Sequence, residues 1–243
     1  MFSIFKKEIN AFLSSLVGYI AIGTFLVVMG FFLWFIPEQN ILDFGYANLD
    51  KFFALAPWVL MFLLPSITMR SFADEFKSGT IELLSTMPIK ENQLILGKFW
   101  ASFVLVIFSL LPTFVYIITL SSLSIIENNL DTGGIIGSYL GLFLLSAVFT
   151  SIGLFCSALT SNQVIAFLLA VILNFFIFMG FEYLSQFPIF NNGIDYILSY
   201  LGLHSHYQNI SRGLIDSRDV LYFLSIILLF IMATKHILNK RKN

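Results

Sequence analysis

His204 and His206, one residue apart, come nearest in type and spacing to a metal-ligating pair. Zinc and copper sites draw several nitrogen or sulfur ligands to one point. No third histidine lies nearby, and the single cysteine, Cys156, sits in an apolar run where it reads as a small buried hydrophobe. The pair is therefore expected to be structural or interfacial, with no bound metal. On a strand the two rings would share a face, whereas on a helix they would point about 200° apart, so spacing alone leaves their geometry open.

Nucleotide chemistry has no better footing. Gly97-Lys98 is followed by Phe99, and Asn92 stands where a phosphate-cradling loop needs its first glycine. His-Glu-x-x-His and Gly-x-Ser-x-Gly are both absent. Nothing within the apolar runs pairs a nucleophile with a base. The chain is expected not to be an enzyme and to hold no cofactor of its own, so that any ATP and magnesium would sit on another chain. Glu182 ends one apolar run and Asn174 lies within it. A carboxylate at membrane depth is a functional candidate, but one at the outer boundary is simply solvated.

The elements that carry these residues follow from composition. Of 243 residues 58% are hydrophobic and only 11% charged, with mean hydropathy +0.90. Ordinary globular chains carry about 45–50% apolar and about 25% charged residues, so this chain has too few charges to cover a water-facing surface. It reads as an all-α, single-domain, polytopic membrane protein. Six spans of about 20 residues would use roughly half the chain, leaving no room for a separate soluble catalytic module. A net charge of -1 and a pI near 6.3 argue against nucleic-acid binding, and one cysteine excludes an internal disulfide framework.

Phe2, Phe5, Ile9 and Phe12 recur at steps of three and four, which predicts an amphipathic surface helix over 2–12. Apolar runs then predict spans at about 13–36, 53–69, 99–123, 135–159, 164–181 and 220–234. Positive residues are retained on the cytoplasmic side. Lys6, Lys7, Arg70, Lys77, Lys90, Lys98, Lys235, Lys240, Arg241 and Lys242, ten of the 13, fall on one side, against Lys51, Arg212 and Arg218 on the other. Both termini are therefore expected to be cytoplasmic. Gly133, Gly137 and Gly141 form a small-residue ridge opening the fourth span, suited to close helix packing against an unspecified partner. The 29 Phe residues are spread over all the spans and read as lipid-facing and packing bulk.

The segment 70–98 is the longest charged stretch. Phe72, Phe76, Leu83 and Met87 share a stripe interrupted at Ser78-Gly79. Gly79 suits a helix C-cap and Thr80 an N-cap, with Glu82 in the first turn of a second short helix that Pro88 ends. Two short helices joined by a hinge are expected under the membrane, either as a plain hairpin or as a docking surface. Arg70, Glu75, Gly79, Thr80, Glu82, Leu83, Leu84, Pro88, Gly97 and Lys98, in that order, resemble the cytoplasmic loop of ABC-2 type transporter permeases. The resemblance, which covers the whole chain, implies six spans and a coupling helix at 80–87. It assigns contact with an ABC ATPase subunit to Glu75, Gly79, Thr80, Glu82, Leu83, Leu84 and Pro88.

The loop 182–219 lies on the opposite side. Tyr196, Ile197, Tyr200 and Leu201 predict a short amphipathic helix, Arg212 and Asp216 an i,i+4 pair on another, and Asp216 or Ser217 a cap for the last span. In the family this segment forms short re-entrant helices, and the resemblance implies the same here. His204, His206 and Tyr207, with the runs 211–216 and 218–224, are similar to gliding-motility-associated permeases within that family. The expectation is an inner-membrane permease subunit that moves an unspecified substrate, with a separate ATPase, a second membrane subunit or an identical chain, and lipid as partners. A non-transporting membrane scaffold or assembly factor is the alternative. An ion-driven carrier would need charge in mid-span, where the runs offer almost none.

Overall fold

The computed structural model describes residues 1–37, 40–41, 48–80, 90–124, 130–190 and 193–242, and no strand occurs among them. Among these residues six helical segments are long and apolar enough to cross a membrane. Lipid offers backbone groups no hydrogen-bond partner, so a chain this apolar must satisfy them within helices.

Helix α1 (Phe2–Leu13) packs along the start of α5 and joins α2 (Leu16–Phe35) at a sharp corner. A Cβ at Gly18 would stand 2.6 Å from the Phe12 carbonyl oxygen, so only glycine lets α2 begin against α1. Helix α3 (Asp50–Thr68) is followed after one residue by α4 (Arg70–Lys77). Next come α5 (Glu91–Leu110), a 3-10 turn at Pro112, and α6 (Phe114–Leu123). Helix α7 (Thr132–Leu159) is the buried axis, packed by α3, α4, α5, α8, α11 and α12. Helix α8 (Gln163–Phe175) passes through a π turn (Phe176–Gly180) into α9 (Phe181–Ser185). The short α10 (Ile194–Leu201) and α11 (Leu203–Ser211) precede α12 (Ser217–Lys242).

Helix α7 holds the centre because its small residues let neighbours approach. Ser138, Gly141, Ser146, Thr150, Gly153 and Ser157 are all buried, and each serine or threonine except Ser146 has its hydroxyl hydrogen-bonded. At one end a Cβ on Gly137 would lie 2.5 Å from the Ile210 carbonyl oxygen, and one on Gly141 3.2 Å from the Tyr207 ring. The glycine ridge thus faces α11 of the same chain. Tyr207 then reaches across to donate 2.7 Å to the Phe53 carbonyl. That carbonyl is the one whose helical donor is missing, since Pro57 has no N–H to offer it. At the other end Ser157 performs a similar repair. Its hydroxyl accepts from the Phe72 and Ala73 amides at 3.0 and 3.1 Å and donates to the Met69 carbonyl at 2.9 Å, so it bridges the break between α3 and α4.

Three expectations need correction. The second apolar run does not stop at Arg70: with Ser157 bridging the break, the helix carries on to Lys77. Residues 91–98 are not loop but the opening of α5, so the connection between the two helices is only 78–90. Arg212 and Asp216 do not share a helix. Gly213, at φ +81°, ends α11 with its amide on Ile210 and the Leu214 amide on Asn209, a Schellman closure. Asp216 instead accepts from the Arg218 amide at 2.9 Å and starts α12.

Candidate functional site

The densest group of charged side chains lies where α1, α4 and α5 meet. Lys98, in the second turn of α5, is 1% exposed. Its ammonium donates to Glu75 at 2.9 Å, to Glu8 at 2.7 Å and to the Ser71 carbonyl at 2.6 Å, which occupies all three of its protons. Lys7 reaches the same Glu75 oxygen at 3.5 Å from a mostly exposed position. One lysine therefore ties three helices together, and it sits over the Phe72 ring at 5.1 Å. Gly97 makes the approach possible, since a Cβ there would stand 3.1 Å from Ile4 on α1.

Glu75 lies 23 residues and Glu8 90 residues before Lys98 along the chain, and Glu75 and Lys98 bracket one short connection. Helices α4 and α5 are the two arms that lead into 78–90, and the Lys98–Glu75 pair crosses between them. Gly79 adopts φ +69° and its amide bonds the Phe76 carbonyl at 3.3 Å, so it ends α4 as its residue type implied. Thr80 turns back on the same helix, with its hydroxyl 2.9 Å from Ser78 Oγ and 3.4 Å from the Glu75 carbonyl. Glu82, Leu83, Leu84 and Pro88, with the rest of the 80–87 helix beyond Thr80, lie outside the described residues. Glu75 is turned inward and 8% exposed, so its carboxylate serves the helix junction and not a surface contact.

This end of the bundle has further cross-ties. Gln163 donates to Asp74. Arg241 donates to the Leu159 carbonyl, at the negative end of α7, and its guanidinium lies 4.3 Å from the Phe76 ring. Helix α4 is thereby joined to α5, α7, the start of α8 and the end of α12.

At the opposite end, His206 is 1% exposed and fully committed. Nδ1 lies 2.5 Å from Asp219 and Nε2 2.8 Å from the Tyr200 carbonyl, which leaves no lone pair for a metal. Tyr222 stacks on its ring at 4.0 Å, and the Tyr222 hydroxyl donates to the Leu201 carbonyl. His206 thus anchors α10 and α11 to the first turn of α12. His204, two positions earlier in the same helix, points elsewhere: Gln208 donates 2.8 Å to its Nε2, and Phe178 meets its ring edge-on. Burial pushes the His204 imidazole below its ordinary pKa, against an opposing pull from Glu182. Among the described residues no three His, Cys, Asp or Glu side chains converge on one point.

Sequence reasoning had placed Lys98 in the family motif without a role, and it missed Glu8 and Asp219 as partners. The available signal was weak: Lys98 is a charge leading straight into an apolar run, where lipid penalises an unpaired ion, whereas Glu8 and Asp219 stand beside other charges and nothing local marks either as a partner. Cations separate with the bundle: Lys7, Arg70, Lys98 and Arg241 gather at the α1 end, Arg212 and Arg218 at the α11 end.

Among known proteins, the family described as ABC-2 family transporter protein matches residues 37–234. No curated protein matches the chain.

Proposed function

Because the chain belongs to the ABC-2 transporter family, and so is a membrane component of an ABC transporter, we propose that the segment 78–90 is where a separate ATPase drives it. The observation that carries this reading is the cross-tie at the base of that segment. A push on 78–90 arrives at α4 and α5 together, because Lys98 binds them, and passes to α1 through Glu8. Helix α4 runs almost directly into α3, and Ser157 ties that junction to the central α7. ATP and magnesium would be held on the partner, whose closure would move these helices as a unit between two arrangements. A second permease chain, identical or related, would complete the transporter in the inner membrane. A gliding-motility transporter is the narrower assignment, supported by the residues of 204–224.

Glu82→Lys tests the coupling reading, since an attractive contact to a basic groove would become repulsive. Size exclusion in detergent checks that the variant folds and inserts, so that a loss of coupling is read apart from a loss of fold. Stimulation of the partner's ATP hydrolysis should fall at least tenfold. Gly79→Val should do the same by disallowing the φ of +69° that aims the segment. Normal stimulation by both variants would remove 78–90 as the coupling element.

Orientation is tested by single cysteines in place of Ser78 and Leu214, both exposed, against a native Cys156 that is buried and therefore silent. A membrane-impermeant maleimide added to intact cells should label the Leu214 site alone. Labelling at Ser78 would reverse the proposed topology.

A further inference from the structure

His206 stands between two oxygen groups. On one side the Asp219 carboxyl lies 2.5 Å from Nδ1, and on the other the Tyr200 carbonyl lies 2.8 Å from Nε2. A carbonyl oxygen has no proton to give, so Nε2 must carry one. The short link to Asp219 holds a second, on the ring or on the carboxyl. Both residues are buried, and with two protons the pair is neutral in sum.

Three features place the second proton on the ring. An imidazolium against a carboxylate makes a charge-assisted bond, stronger than its neutral counterpart. The ring meets the last turn of α10, where carbonyls without helical donors gather and the helix dipole favours a cation. Tyr222 lies against it with 4.0 Å between ring centres, an arrangement that also favours a cationic ring. Neighbouring elements do not offset this. Helix α7, on which α11 packs, contains no Asp, Glu, Lys, Arg or His. Glu182 on α9 acts on His204, and Asp195 at the far end of α10 accepts from the Gly193 amide. Arg218 shares an open cleft with the ring, Tyr196, Tyr200 and Tyr222, but is itself exposed, where water and salt screen it. That cleft gives a proton leaving the buried ring a path to water.

We propose that His206 and Asp219 form a proton-dependent clamp that holds α10 and α11 to α12. Removing one proton leaves a buried anion and a single N–H for two acceptors. The remaining proton belongs on Nδ1, because the carboxylate is the stronger acceptor. The bond to Tyr200 is then lost, and a ring lone pair faces its carbonyl. The end of α10 keeps the Tyr222 hydroxyl on the Leu201 carbonyl as a tie to α12. Because the clamped form binds the extra proton, the clamp holds at low pH and opens as pH rises. It lies at the opposite end of the bundle from 78–90, and its test contains no ATPase.

The full chain in detergent, carrying nitrogen-labelled histidine, should show by NMR one ring protonated at both nitrogens at neutral pH. Asp219→Asn should turn that ring into a neutral one without undoing the fold, because the amide can donate to Nδ1 while Nε2–H still serves Tyr200. Spin labels on cysteines replacing Ile194 and Leu228, both exposed, report the separation of α10 and α12, and the native Cys156 is buried and stays unlabelled. As pH is raised to about 10, the single distance should broaden over the interval in which the ring loses its second proton. Tyr222→Phe keeps the stacking and removes the remaining tie, so the broadening there should be larger. In Asp219→Asn the distance should stay sharp throughout. A singly protonated His206 at neutral pH, both protons retained over the whole titration, an unaltered distance in both the parent and Tyr222→Phe, or equal broadening in Asp219→Asn would each overturn the clamp.

Discussion

Lys98→Met should destabilise the protein by about 3–5 kcal/mol, the usual cost of leaving a buried partner charge uncompensated. The methionine fills most of the space, so the loss is electrostatic. Glu75, with a side chain only 10% exposed, would keep just the distant Lys7 at 3.5 Å, and the Ser71 carbonyl would lose a donor. Neutralising the orphaned acid in the same chain, Lys98→Met with Glu75→Gln, should recover part of the loss, since an uncharged buried group is cheaper to keep dry. Thermal unfolding in detergent, followed by fluorescence-detected size exclusion, checks both variants. A Lys98→Met protein that melts with the parent would mean that the junction is wet and the pair carries no weight. The same variant should also lower stimulated ATP hydrolysis by more than its stability loss explains, because α4, α5 and α1 would no longer move together.

The second large effect is expected at Gly153. A Cβ there would stand 2.9 Å from Thr68 Cβ and closer still to its hydroxyl oxygen, which already donates 2.8 Å to the Leu64 carbonyl. Both neighbours belong to helices, so neither yields without moving a span. Gly153→Ala should cost about 1–3 kcal/mol by overpacking, and Gly153→Leu more, with loss of folded protein from the membrane. The damage extends to the α3–α4 break, because Ser157 sits one turn further along α7 and must stay within 3.1 Å of the Phe72 and Ala73 amides. Thr68→Ala should relieve Gly153→Ala in part, so that the double variant is more stable than the sum of the two singles predicts. Simple additivity, or a Gly153→Leu protein as stable as the parent, would mean that α3 and α7 do not meet here.

How legible these sites were in the sequence differs residue by residue. Gly79 was read as a C-cap because a positive φ is a property of the residue and its immediate turn. Asp216 or Ser217 was read as a cap for the last span, and Asp216 takes the role, because a side chain that accepts from an amide two residues on is equally local. The Arg212–Asp216 pairing failed because spacing was applied across Gly213, although a glycine between two charges is itself a helix-ending signal. The glycine ridge at 133–141 was visible as a surface without its partner, and only the fold brings Tyr207 to it. Glu75 was assigned outward through the family resemblance and is turned inward, since its neighbour in space, Lys98, stands on another helix.

The sequence by itself determined that this is a six-span, all-helical membrane protein, and the ABC-2 family match bears that out. That much is local: lipid requires each span to satisfy its own backbone and to be apolar over its own length, and both conditions can be read from a window of about 20 residues. The tertiary structure alone decided that Lys98 gathers Glu75 and Glu8, that Ser157 repairs the break before α4, that Tyr207 serves the carbonyl orphaned by Pro57, and that His206 is spent on Asp219. Each joins residues on different helices, from 13 to 154 positions apart along the chain. Their pairing is set by which helix faces pack, and packing in lipid depends on shape at small residues and on scarce polar contacts, which no local pattern of hydropathy encodes.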